Sequence, residues 1–412
     1  MGCVINILYG TKKNVSTRPL VQEAKRGIVE NMKSIVLSFI IFLLERATSL
    51  LLALKKPKIV AVTGSVGKTS TKLAIAHVLS GKYSVLVHKG SYNTEIGVPL
   101  SLFEMEAPSL IWNPLAWVWI FLRIAWKLIT PYPYQIVVQE IGADKPGDIE
   151  RILRYIAPEI GVVTAVHPVH TELFGSLENI FKEKSLVALK SKRAVINGDD
   201  ALLRERLLPH LTIPVATYGI EKDASWKSSG VERSKTGELT MVFGDIAAET
   251  HIVARHGLYA LLAAGAVGEI FGIEKREIYK QLSAVHPAPG RMRVLEGKNG
   301  STLLDDSYNA SPGAVVRALE TLREFSGTRK IAILGSMNEL GGIMKEGHER
   351  AGDAVAQGGV DLLVTIGENA NAYLVASAIR GGLLAESCVK TSSPAEAGRY
   401  VARILRQGDV VL

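Results

Sequence analysis

The stretch VAVTGSVGKTST, residues 60–71, constrains this chain more than any other. It continues the apolar run KIVAVT and leads into KTSTKLAIAHVL, which reads as a helix. A short glycine loop between a buried strand and a helix N-terminus turns backbone amides toward an anion, so the segment is expected to hold phosphate. Gly64 and Gly67 permit the turn, and Ser65 lies between them. Lys68 supplies a positive charge, and the hydroxyl of Thr69 or Ser70 can ligate magnesium. Val62 stands where the commoner GxxxxGK loop has its first glycine, so the spacing is short. The placement between strand and helix, not the short match, favours a phosphate site over a plain turn.

The rest of the chain repeats that alternation. YQIVVQEIG, IGVVTAV and RAVING read as further apolar strands, with SLENIFKEKSLVALK as a helix between two of them. Such spacing predicts a mostly parallel sheet covered on both faces. Beyond HPAPGRM the unit changes: STLLDDSY, KIAILGS and DLLVTIG alternate with stretches such as PGAVVRALETLREF, giving a second α/β domain. A length of 412 residues, 47% of them hydrophobic, suits two or three cores. The expected division is a basic and apolar helical segment over 1–56, a central domain over 57–286 with an insert at 110–134, and a C-terminal domain over 287–412. The sequence ends at RQGDVVL, within what reads as a buried strand, so the C-terminal domain is expected to be truncated.

Charge is unevenly spread. Residues 1–60 hold ten Lys or Arg and three acids, most of the net +8, beside the apolar run SIVLSFIIFLLERATSLLLAL at 34–54. That run has the length of a bilayer span, but Glu45 and Arg46 sit at its middle, where each charge costs a few kcal/mol, about 3, unless paired. A second apolar segment, 110–134, holds four of the five tryptophans together with Arg123 and Lys127. Tryptophans interspersed with cations suit a helix at the lipid headgroup level. Attachment to an anionic membrane surface, a buried helical hairpin and a true span are the three alternatives. Positive charge confined to one end makes nucleic acid a poor partner. The two cysteines, Cys3 and Cys388, cannot build a disulfide framework, which fits a reducing cytoplasmic setting.

Several other residues are candidates for chemistry. Glu140 ends the strand YQIVVQE, at the sheet edge where open α/β folds bind ligands, and is a candidate magnesium ligand. His167 and His170 follow GVVTAV and reach the same edge. Lys182 and Lys184, taken alone, read as a solvated helix face. Asp305 and Asp306 close STLLDD and could hold ribose hydroxyls or metal, with a structural turn as an equal alternative.

Taken in order, TGSVGKTST, SYNTEIGVPLSL, EIGADKPGDI, HTELFGSLENIFKEKSLV, GRMRVLE, DDSYNASPGAVVRAL and LGSMNELG resemble the Mur ligase family, from about residue 58 to 412. Within it they are most similar to the branch that joins D-alanyl-D-alanine to a muramoyl tripeptide in cell-wall synthesis. The resemblance implies a P-loop ATPase-like parallel sheet domain and a Rossmann-like C-terminal domain. It implies an ATP-dependent amide ligase that phosphorylates a peptide carboxylate and lets an amine displace the phosphate. Carried over, Thr69 and Glu140 would hold one magnesium, His170 would help hold a second, and Lys184 matches the position the family carbamylates. Lys68, Lys184 and His170 would be the catalytic set. Gly64, Ser65, Gly67, Lys68, Thr69, Ser70, Arg291 and Asp306 would contact ATP, the last two from the C-terminal domain. A monomer, cytoplasmic or peripheral on the inner membrane face, is expected.

The chain also departs from that pattern. Only 57 residues precede the body, where the family usually has a domain for the UDP-sugar, so the acceptor could carry UDP or lipid. Gly257 and Ala260 stand where asparagines are usual in RHGLYALLAA. The rivals are a folate polyglutamating ligase and a membrane-bound ATP-binding scaffold without ligase chemistry. Amidotransferase relatives are disfavoured by the lack of a four-cysteine insert.

Overall fold

The computed structural model describes residues 20–167, 171–234 and 237–412. Helix α1 (Leu20–Lys55) leads into β1 (Lys58–Thr63), which is buried at every residue but the first, and then into α2 (Lys68–Ser80). There follow β2 (Val85–Val87), α3 (Gly97–Leu102), α4 (Pro114–Ile129), β3 (Ile136–Glu140) and α5 (Asp148–Leu153). The chain continues through β4 (Ile160–Val163), α6 (Thr171–Phe174), α7 (Leu177–Leu189), β5 (Arg193–Asn197), β6 (Val215–Gly219) and β7 (Trp226–Lys227). The seven strands form one sheet in the order β2-β3-β1-β4-β5-β6-β7, with every neighbouring pair parallel. The continuous apolar runs of β1 and β3 are explained by cover on both faces. All the carboxyl ends therefore lie along one edge.

Alternation then breaks. β8 (Gly230–Arg233), β9 (Leu239–Phe243) and β10 (Ile246–Glu249) form a small antiparallel sheet before α8 (Leu258–Ile270) and α9 (Lys275–Ser283). Sequence periodicity gave no sign of it, because these strands are four or five residues long and mix polar with apolar positions. Helix α8 packs on α2 and shares with it a core that includes Ile75, Leu79, Leu261 and Val267.

The C-terminal unit contains β11 (Arg293–Glu296), β12 (Thr302–Asp305), α10 (Pro312–Glu324), β13 (Arg329–Gly335) and α11 (Met344–Gln357). It ends with β14 (Leu362–Ile366), α12 (Val375–Arg380), β15 (Cys388–Thr391), α13 (Pro394–Ile404) and β16 (Asp409–Val411). The sheet order is β11-β12-β16-β13-β14-β15, parallel except for the β11–β12 hairpin. β16 thus sits in the middle of the sheet, between β12 and β13. Arg329 on β13 grips Asp409 of β16 at 2.6 Å, and Asp409 is almost wholly buried.

Helices α1 and α4 are each buried against the body along one face and exposed along another. Ile40, Leu44 and Leu51 of α1 and Trp117, Ile120 and Ile124 of α4 join one core of the central unit. Lys55 Nζ donates to the Thr130 carbonyl at 2.7 Å, tying the two helix ends together. Glu45, read from sequence as a charge stranded mid-helix, faces the body. Its carboxylate accepts from Arg151 on α5 at 2.6 Å, and Arg151 also reaches Glu95 at 2.8 Å.

Candidate functional site

The phosphate loop is shaped by what lies behind it. Gly64 has φ +147°, and a Cβ there would lie 2.0 Å from the Thr164 hydroxyl. Gly67, at φ +80°, turns the chain into α2 without a side-chain cap, so the first amides of the helix stay free to face an anion. The chain after β4 holds the loop in place. Ser65 N donates to the Ala165 carbonyl at 2.7 Å, Ser65 Oγ to the His167 carbonyl at 2.9 Å, and Thr164 Oγ1 to the Val66 carbonyl at 2.6 Å. His167 therefore meets the loop through its backbone, not as a ring ligand.

Lys68 Nζ donates to the Gly64 carbonyl at 2.9 Å. Burial lowers its pKa, with Glu140 opposing that shift and Arg291 adding to it. One helical turn on, Lys72 is 2% exposed and donates to the Gly90 carbonyl at 2.9 Å, with its ammonium 3.4 Å from Glu140. Glu140 itself, at the end of β3, accepts from Thr69 Oγ1 at 2.9 Å and from Asn93 Nδ2 at 3.1 Å. The hydroxyl of Ser91 stands 3.5 Å from that of Thr69.

Thr69 and Glu140 thus bring a hydroxyl and a carboxylate together beside the loop. Magnesium takes oxygen ligands, keeps several waters and is usually held by one or two carboxylates plus substrate phosphate, so this donor pair fits it. A second such ion has less support. Among the described residues no group of three or more His, Cys, Asp or Glu is placed to hold a metal, and His170 lies outside the described residues.

Helix α7 separates the two lysines that looked alike in sequence. Lys182 is 69% exposed and pairs with Glu178. Lys184 is 3% exposed, and its amine is pushed down to about 7, first by burial and then by the charge of Lys68. Glu183 and Asp144 act in the opposite direction. Glu183 has a structural task as well, accepting from the backbone amides of Gly147 and Ile149 at 2.9 and 2.7 Å and so capping α5.

The C-terminal unit reaches the same place. The Arg291 guanidinium lies over the Tyr308 ring at 4.0 Å, and the Tyr308 hydroxyl is 2.8 Å from that of Ser91. Asp306 accepts from Met292 N at 3.0 Å, and burial raises its pKa. Asp305 braces a turn, accepting from Gly290 N at 3.0 Å and from the Ser307 hydroxyl at 2.6 Å. Of the two acids, Asp305 takes the structural alternative.

Lys68, Thr69, Glu140 and Lys184 are thus gathered at one sheet edge, with Arg291 near enough to act on Lys68. Sequence inspection had missed Lys72 and Asn93. Lys72 carried a legible signal, since it falls on the buried stripe with Ile75, Ala76 and Leu79. Asn93 carried none of its own, because loop position gives no periodicity. The ensemble presents cations and free amides to one anionic group, which is what phosphoryl transfer requires of a protein.

Comparison with known proteins agrees with this geometry. The "Mur ligase middle domain" family matches residues 62–112 and 122–268, and the "Mur ligase, glutamate ligase domain" family matches 290–412. The UDP-N-acetylmuramoyl-tripeptide–D-alanyl-D-alanine ligase of Bacillus subtilis is 27% identical over 316 residues, covering 76% of this chain and 63% of that protein. The enzyme of the same name from Synechocystis is 28% identical, covering 86% and 70%. The chain therefore spans about two thirds of the length of these relatives. Among solved structures, MurF ligase from Thermotoga maritima in complex with ADP superposes with a TM-score of 0.74 at 26% identity, covering 90% of this chain and 79% of that one.

Proposed function

Since the chain belongs to the Mur ligase family, we propose that it is an ATP-dependent ligase of peptidoglycan precursor synthesis, joining D-alanyl-D-alanine to a muramoyl tripeptide. The observation that carries this is the gathering of Lys68, the Thr69–Glu140 pair and the buried Lys184 at one sheet edge, under Arg291 of the C-terminal unit. A pure ATP-binding scaffold has no use for the last of these. The names of the relatives supply the substrate pair.

In this reaction a carboxylate oxygen of the tripeptide attacks the γ-phosphorus of ATP, and ADP leaves. The acyl phosphate so formed has a good leaving group where the free carboxylate had none. The amine of D-alanyl-D-alanine then attacks the acyl carbon, phosphate departs with the bonding pair, and the nitrogen gives up a proton. Lys68 and the loop amides bind and orient the phosphates. Glu140 fixes the Thr69 hydroxyl, which donates to it, and Asn93 and Lys72 keep Glu140 in position. When bound, magnesium supplies charge neutralisation to the transferring phosphoryl group. Arg291 and Asp306 approach the nucleotide from the other side, so turnover requires the two units to close.

Lys184 is assigned a carbamate. With its amine lowered to about 7, a large share is neutral at physiological pH and free to attack carbon dioxide. A new N–C bond forms as one C–O π bond of carbon dioxide opens, one proton leaves the nitrogen, and an anion replaces a buried neutral amine beside Lys68. A ¹³C-bicarbonate label should give a carbamate resonance that is absent in Lys184→Ala.

The deciding experiment is a mass-resolved ligation assay with ATP, magnesium, D-alanyl-D-alanine and either UDP-linked or lipid-linked muramoyl tripeptide. Product with either substrate supports the assignment and identifies the acceptor's carrier. ATP binding without product from either overturns it in favour of the scaffold.

A further inference from the structure

Helix α4 is apolar on the wrong side as well as the right one. Its inward stripe, Trp117, Ile120 and Ile124, is buried in the core. Its outward stripe, Leu115, Val118, Trp119, Leu122, Trp126 and Ile129, follows the same helical spacing and lies open, with Leu122 66% and Trp126 65% exposed. Packed against it, α1 repeats the pattern with Phe39, Phe42 and Leu50. A face of this extent marks a docking surface.

We infer that the outward faces of α1 and α4 form one platform that lies flat on an anionic lipid bilayer, with both helices parallel to the membrane plane. Charge selects this occupant. Over Ser34–Lys55 and Pro114–Ile129 the one acid is Glu45, turned inward to Arg151; of the four cations Lys127 pairs with Glu104 and Lys55 with the Thr130 carbonyl, which leaves Arg46 and Arg123 exposed on the outer faces. Arg46 lies over the Phe42 ring at 5.1 Å and Arg123 over the Trp119 ring at 4.8 Å. Phe42 on α1 and Trp119 on α4 thus each pair an exposed ring with an exposed cation, the arrangement suited to headgroup depth. In the sequence, residues 1–33 add six Lys or Arg against two acids. A transient protein partner fits less well, because non-obligate interfaces as a whole are no more apolar than ordinary surface. The segment Ser34–Lys55 is long and apolar enough to cross a bilayer. Its inner face, however, is already packed in the core through Ile40, Leu44 and Leu51.

The platform is independent of the ligase assignment and is tested without activity. The full chain is floated with vesicles of phosphatidylcholine, with and without phosphatidylglycerol, while tryptophan emission is followed. Binding that needs phosphatidylglycerol, shifts the emission to the blue and falls at least about tenfold in Leu122→Glu/Trp126→Glu is expected. Arg46→Gln/Arg123→Gln, which leaves the apolar stripe intact, should weaken binding by about tenfold and flatten its salt dependence. Unchanged flotation of both variants overturns the platform, as does the absence of flotation from a monodisperse full chain. Dimers that disappear in Leu122→Glu/Trp126→Glu would assign the face to a second copy. Resistance of the bound chain to carbonate extraction would make α1 a span. Either result rejects the flat orientation.

Discussion

At the carboxyl edge of the central sheet, Lys72, Glu140 and Lys184 are charged or chargeable groups taken out of water, whereas on the outer face of α4 six apolar side chains are left in it. Both regions go against the ordinary sorting of residues, in opposite directions. Buried charge and exposed apolar surface are the two observations that report function rather than packing. The difference lies in how each is tolerated. Glu140 accepts from Thr69 and Asn93 and faces Lys72, while Lys184 is relieved of its charge by losing its proton readily. On the exposed stripe Arg123 rests over the Trp119 ring, and beside it on α1 Arg46 rests over Phe42. The charges of the first arrangement are compensated within the chain, whereas the second calls for a cover from outside it.

Substitutions can break this contrast. The largest effect is expected at Lys68, where Lys68→Ala should reduce ATP turnover by about 10³-fold by removing the central phosphate contact. Unchanged turnover would refute the loop assignment. Next, Lys72→Met should destabilise the fold by about 3 kcal/mol, because it leaves Glu140 buried without its cation. Urea unfolding measures this, and a shift under 1 kcal/mol, on the order of a surface pair, would show that Glu140 is adequately served by Thr69 and Asn93.

Lys184→Ala should cut ligation by about 10²-fold. Partial rescue by a short carboxylate would separate a chemical role from a structural one. In the intact protein the neutral amine predominates above about pH 7 and falls about tenfold per pH unit below it, so bicarbonate-dependent activity should decline on acidification. The smallest effect is expected on the outer face. Leu122→Gln should move the stability of the lipid-free protein by no more than about 0.5 kcal/mol, and a larger loss would mean that the stripe is covered by the protein itself.

How legible each region was in sequence follows from what decides it. The strands β1, β3 and β4 announced themselves as unbroken apolar runs, because burial on both faces removes any reason for polar positions. β8 to β10 did not, since four-residue strands with one covered face leave no such run. Lys182 and Lys184 illustrate the limit within the site. Two residues apart on a helix they face nearly opposite ways, and only Lys184 falls on the stripe with Ile180, Val187 and Ala188 that packs inward. That stripe was readable, but a lysine on it is ordinarily discounted, and the family resemblance alone drew attention to it. Glu45 misled for the converse reason. A charge within an apolar run looks costly until its partner, Arg151, more than a hundred residues away, is brought beside it. Tertiary partners of single charges leave no periodic trace.

The position of β16 has a consequence for how the C-terminal unit assembles. Because β16 lies between β12 and β13, the β11–β12 hairpin cannot join the other strands until residues 409–411 have been inserted. β13, β14 and β15 can pair earlier, through connections of a single helix each. Closing the β12–β16 pair requires the ends of a segment of roughly a hundred residues to meet, a slow step of the kind that limits folding rate. Until it occurs β13 offers an unpaired edge, the form in which parallel sheets are most open to wrong association. Arg329 and Asp409, joined across the β13–β16 seam, form their contact only when β16 is inserted.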